Sequence, residues 1–119
     1  MAQLMDVTAT YQRGFEYRCE GRYDEARAEF QKVLASEPAH ADAQWQLGLI
    51  QGFEGDFDGS VESLRRLVQV NPQHQGARYD LAMTLMMIGE IDQACAEFRA
   101  LLAINPSHEK ALEQMQYCG

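Results

Sequence analysis

Three histidines, His40, His74 and His108, and three cysteines, Cys19, Cys95 and Cys118, are the side chains in this sequence that could ligate a metal or act as nucleophiles. The histidines recur at intervals of 34 residues, each two positions after a proline (Pro38, Pro72, Pro106). Zinc would need its ligands at about 2 Å from one ion. Equivalent residues on stacked repeat units are instead separated by roughly a helix diameter, about 10 Å, so the outer two cannot share a metal. The rings are read as helix entrances, where an imidazole caps free N–H groups or faces water. The cysteines are odd in number and contain no CxxC pair, so reduced thiols are expected. A Cys95–His nucleophile pair would lack a third, orienting group. Gly52, Gly55 and Gly59 fall between two helical patterns and not after a strand, which excludes a phosphate loop. Glu54, Asp56 and Asp58 read as caps and a solvated loop. No catalytic residue, metal ligand or cofactor is expected, and the chain is not read as an enzyme.

The composition is that of one domain. The chain has 119 residues, 46% of them hydrophobic and 24% charged, with a formal net charge of −8. That length holds a real core but not two. Negative charge disfavours nucleic acid, whose phosphates require a basic surface, and an anionic membrane. An apolar or basic protein partner fits better. The N-terminal "MAQLMDVTATYQRG" has neither the cationic nor the apolar region of a signal peptide, and no apolar run nears the ~20 residues that span a bilayer. A cytoplasmic location is expected.

The 34-residue period runs through the whole chain. Gly21, Gly55 and Gly89 superpose, as do Asp24, Asp58 and Asp92, and Ala9, Ala43, Ala77 and Ala111. Self-similarity at such a period marks a repeat architecture. Within each unit the apolar spacing describes two helices: Trp45, Leu49 and Phe53 on one, Val61, Leu64, Leu67 and Val68 on the other. Proline ends the second helix by pushing its predecessor out of the α region. Helices are predicted near 7–20, 24–36, 41–54, 58–70, 75–88 and 92–104, with a last one near 109–117. The small residues Gly14, Gly48 and Ala82, and Ala26, Ser60 and Ala94 opposite them, would let paired helices approach closely. The last helix reads as a cap, with Lys110, Glu113 and Gln114 outward and Ala111, Leu112 and Met115 inward.

Leu47-Gly48 with Pro72, then Gly14, Tyr17, Ala26, Phe30 and Pro38, and then Leu81, Ala94, Phe98 and Pro106, carry a pattern that resembles the tetratricopeptide repeat family. The departures are Arg13 for Leu, Gln51 for Tyr and Ser60 for Ala. The resemblance implies an all-α, right-handed α-solenoid: one domain over 1–119, with repeats 7–40, 41–74 and 75–108 and a capping helix at about 109–117. It also implies a concave groove, lined by the first helices, that binds peptides or helices of other proteins. Family members that grip a C-terminal carboxylate carry Lys, Asn, Asn, Lys and Arg where this chain has Tyr11, Phe15, Gln46, Gly76 and Asp80, so that clamp is absent.

The resemblance places Tyr11, Trp45 and Tyr79 on the groove wall. Phe15, Leu49 and Met83 follow one turn on, and Cys19, Phe53 and Met87 the turn after, on the same helix face. Arg18 and Arg78 are read at the edge, and Met83, Met86 and Met87 as adaptable apolar contacts. Tyr, Trp and Arg are frequent binding hot spots. Two readings of the rings stand together: ligand contact, in which triple replacement by Ala removes binding at modest cost in stability, and packing against the neighbouring repeat. The function expected is a protein-interaction module for an extended or helical apolar segment. The alternatives are a small acidic chaperone for a secreted or membrane-active client, as similar three-repeat proteins are for type III secretion translocators, and a scaffold that self-associates through its end faces.

Overall fold

The computed structural model describes residues 5–119. Its elements follow in chain order: α1 (Val7–Cys19), α2 (Tyr23–Ser36), α3 (Ala41–Phe53), α4 (Phe57–Val70), α5 (Gln75–Met87), α6 (Ile91–Ile104), α7 (Glu109–Gln114) and a final 3₁₀ turn, Met115–Tyr117. No described residue is in a strand. The product is an all-α helical solenoid, elongated to 59 × 27 × 21 Å. Among the described residues, no helix is long and apolar enough to cross a membrane.

The ends of the odd helices follow from a few residues. Gly21, Gly55 and Gly89 adopt φ of 77°, 91° and 86°, the left-handed conformation that only glycine enters without strain. In the first copy, the N–H of Gly21 reaches the Arg18 carbonyl and that of Arg22 the Tyr17 carbonyl, which satisfies the last acceptors of α1. The other end is capped by Asp6 on α1 and by His40, His74 and His108 on α3, α5 and α7, each side chain accepting a backbone N–H three residues on.

Paired helices meet at the small residues. A Cβ on Gly14 would lie 2.8 Å from the Phe30 ring, and one on Gly48 2.9 Å from Leu64. Phe30, Leu64 and Phe98, one period apart, are fully buried. Ser60 in place of Ala is accommodated because its hydroxyl donates to the Gly48 carbonyl at 2.8 Å. Between pairs, α1 packs on α3 and α3 on α5, more closely than the even helices approach one another. The odd row therefore occupies the inner side of the curvature.

Three expectations are corrected at the C-terminus. Cys95 and Cys118 form a disulfide, and Cys19 alone stays free and exposed. The helix expected to reach residue 117 ends at Gln114, and the 3₁₀ turn after it carries Cys118 back onto α6, where Cys95 is 4% exposed. Leu112 is not inward but 49% exposed. From the last helix and turn, Ala111 and Met115 pack into the core.

Candidate functional site

The three wall rings are built into the joints between repeats. Tyr11 stacks on His40 with ring centroids 5.5 Å apart, Tyr79 stacks on His108 at 5.6 Å, and Trp45 stands edge-on to His74 at 5.0 Å. Each histidine accepts through Nδ1 a backbone N–H, from Ala43, Ala77 or Ala111. The ring is therefore the neutral tautomer with its proton on Nε2, and His74 uses that proton to bond Asp42 Oδ1 at 2.9 Å. Ring tips are paired as well. Gln46 Nε2 donates to the Tyr11 hydroxyl at 3.2 Å, and Trp45 Nε1 donates to Asp80 Oδ2 at 2.7 Å. An odd helix thus hands its aromatic side chain to the cap and inner face of the next odd helix.

Trp45 also fills the place of the absent clamp. A Cβ on Gly76 would lie 2.6 Å from its ring, so the indole lies directly on the α5 backbone. Gly76 and Asp80, two of the clamp positions, are both in contact with Trp45. Burial raises the Asp80 carboxyl above its ordinary value, while the indole N–H and then the Arg18 and Lys110 charges pull it back. Burial likewise raises the phenols of Tyr11 and Tyr79.

What remains open lies further along the odd helices. A cavity of about 150 Å³ between α3, α4 and α5 is lined by Leu49, Phe53, Phe57, Asp80, Met83 and Met87, among others. Phe53 is 52% and Met87 65% exposed. Phe53 is steadied by Tyr23, whose ring stacks on it at 5.8 Å. The Arg18 guanidinium lies 4.9 Å over the Phe15 ring and 5.7 Å from that of Phe53. The structure thus brings Phe15, Arg18, Leu49, Phe53, Met83 and Met87 together. Met86 packs half-buried against the core instead.

Arg78 is a correction. It is not at the edge of this site. Its guanidinium pairs with Glu97 of α6 at 2.8 Å and donates to the Pro72 carbonyl at 3.1 Å. The equivalent residue one repeat earlier, Gln44, lines a separate cleft of about 350 Å³ with Leu34, Leu47, Arg66, Leu67 and Val70, on the side of the even helices. Sequence reasoning also missed Tyr23 and Phe57 beside the cavity, and the partners of the rings. Those partners carry a signal: Gln46 and Asp80 each lie 35 residues after the ring they bond. Among the described residues no three His, Cys, Asp or Glu side chains gather as metal ligands.

Comparison with known proteins agrees with this architecture. A tetratricopeptide repeat model matches residues 54–115, and a second one matches residues 7–40. Among solved structures, the first TPR of Spaghetti (RPAP3), bound to the HSP90 peptide SRMEEVD, is similar with a TM-score of 0.83 at 15% identity, over 93% of this chain and 88% of that one. YrrB, described as a TPR protein with an unusual peptide-binding site, gives 0.72 at 27% identity, over 94% of this chain and 60% of its own. MamA gives 0.77 at 22% identity, over 89% and 62%. The chain therefore spans about three fifths of the length of YrrB and of MamA. No curated protein matches it significantly.

Proposed function

Because this chain belongs to the tetratricopeptide repeat family, we propose that it binds an apolar segment of a partner protein in the cavity between α3, α4 and α5. The fold is that of protein–protein interaction modules, and similar domains hold peptides. One observation carries the finer reading: Phe53 and Met87, two large apolar side chains, stand 52% and 65% exposed at the rim of the same cavity. Exposed apolar surface gathered around a concavity marks an interaction site more often than scattered exposed side chains do.

The wall rings contribute indirectly. Their burial against the next repeat fixes the spacing of α1, α3 and α5, and the cavity depends on that spacing. A Phe53→Ala/Met87→Ala variant should keep the fold, since neither side chain is in the core, and should lose a partner that the wild type captures. Equal capture by both would move the interface to the cleft on the even-helix side. Self-association is a second reading, supported by Leu112 and Tyr117, 49% and 61% exposed at one end. A sedimentation coefficient that does not change with concentration would exclude it over the range measured. The expectation of a cytoplasmic location rested on the lack of a signal-peptide pattern and of a bilayer-length apolar run as well as on reduced thiols, and the Cys95–Cys118 bridge removes the last of these supports.

A further inference from the structure

We infer that the segment taken up by this cavity carries a side-chain carboxylate next to its apolar anchor, and that Arg18 receives it. The inference rests on the binding reading above and adds the chemistry of the partner.

Most of the cations of this chain are already engaged. Arg13, Arg22, Arg27, Lys32, Arg66 and Arg78 each face a carboxylate of this chain. On the inner row, Asp42 is taken by His74 and Asp80 by Trp45. Arg18 has no ion pair and no hydrogen-bond acceptor among the described residues, and its Nε is shut off from water. Its guanidinium is held against the faces of Phe15 and Phe53, which favour a cation but accept no hydrogen bond comparable to a carboxylate's. A second cation of the inner row, Lys110, lies 5.9 Å over the Tyr79 ring and also has no carboxylate partner among the described residues. The net charge of −8 is misleading here, since acids such as Asp24, Asp58 and Asp92 are exposed at the starts of the even helices. Within the inner row, Asp80 lies in the field of Arg18 and Lys110, but neither cation has a carboxylate within ion-pair distance among the described residues.

A guanidinium steadied on two rings presents its fork of donors with little entropy left to lose, which suits bidentate pairing with a carboxylate. Because Phe53 touches Arg18 and also lines the cavity, the acidic residue and the apolar anchor must be near neighbours on the partner. The site differs from a terminal-carboxylate clamp, whose five positions here hold Tyr11, Phe15, Gln46, Gly76 and Asp80 and no cation.

The test selects short random peptides with amidated C-termini on the folded full-length chain, then measures the enriched peptides individually by fluorescence anisotropy. The expected peptides pair Asp or Glu with a nearby Leu, Met or Phe. Exchanging that Glu for Gln in the peptide, or Arg18→Gln in the protein, should each weaken binding about tenfold or more, the range of hydrogen bonds to charged groups. Combining the two should cost little beyond either alone. Should Arg18→Gln disturb the fold by circular dichroism, the Glu, Gln and Lys peptides measured on wild type decide the matter alone. Peptides that depend on Phe53 but are indifferent to the Glu exchange would overturn this inference and leave the binding site standing. If no enriched peptide depends on Phe53, both fail.

Discussion

Reduction of the Cys95–Cys118 bridge should cost this protein a substantial part of its stability. At six residues, α7 is far shorter than a helix that persists in water by itself. Three things hold it: the buried Ala111, the His108 cap stacked on Tyr79, and the bridge. The joined cysteines are 23 residues apart, and loop closure over that separation restricts the unfolded chain by about 3.4 kcal/mol. At about 2.1 cal/mol/K per residue, a chain of this length unfolds with roughly 250 cal/mol/K, so that loss lowers the melting temperature by about 14 °C. Cys118→Ser is the better variant, because Cys95→Ser would bury a hydroxyl in α6. Melting curves by circular dichroism, with and without a thiol reductant, give the shift. Alkylation and intact mass verify the bond: only Cys19 should react before reduction, and all three cysteines after it. Trypsin should cut at Lys110 faster in the reduced protein. Alkylation of all three without reductant would refute the bridge. A verified bridge whose loss leaves the melting temperature in place would refute the loop-closure reasoning and assign the cap to packing alone.

Other perturbations test the joints. Gly76→Ala should destabilise by about 1–2 kcal/mol, because the new methyl overpacks against Trp45 by more than the gain in helix propensity; the emission of this single tryptophan should shift with it. Trp45→Ala should cost about 3 kcal/mol in urea unfolding, as for a large packed ring, and adding Tyr11→Ala and Tyr79→Ala should melt the solenoid. This outcome differs from the modest cost that the ligand-contact reading expects, and the melting curve of the triple variant decides between the two. Asp80, raised by burial, binds more protons folded than unfolded between its ordinary and its folded value, so stability falls as pH rises through that window and stays lower above it. Asp80→Asn keeps an oxygen for Trp45 and should be at least as stable as wild type at neutral pH, with the difference closing as pH drops below the carboxylate range. A less stable Asn variant at neutral pH would show that the charge itself matters to the joint.

The architecture was legible because periodicity and helix ends are local. A 34-residue repeat, glycine after each first helix and proline after each second place the helices within a few residues. The entrance histidines were also readable, since a side chain directly before a helix has free N–H groups within reach. What the period does not tell is which neighbour a side chain's tip meets. Arg78 precedes Tyr79 in sequence but points about 100° away around the helix, to Glu97 on the even side. Likewise, the period places the Tyr11 and Trp45 rings on the inner row but does not say that Gln46 and Asp80 meet their tips. The disulfide was hidden for a different reason: cysteine spacing says nothing of a chain that leaves its helix early and folds back.

Trp45 and its seat carry a consequence for the order of the units. The indole needs a residue without a side chain at position 76 and an acceptor at position 80, and the third unit supplies both. A second copy of the middle unit in that place would present Asp42 and Gln46 instead, and the side chain of Asp42 would collide with the ring. The units share a fold but are not exchangeable parts. The middle one has a successor specified by shape, so an array lengthened by duplicating it would fail at the new junction, whereas one lengthened beyond the third unit would leave this joint intact.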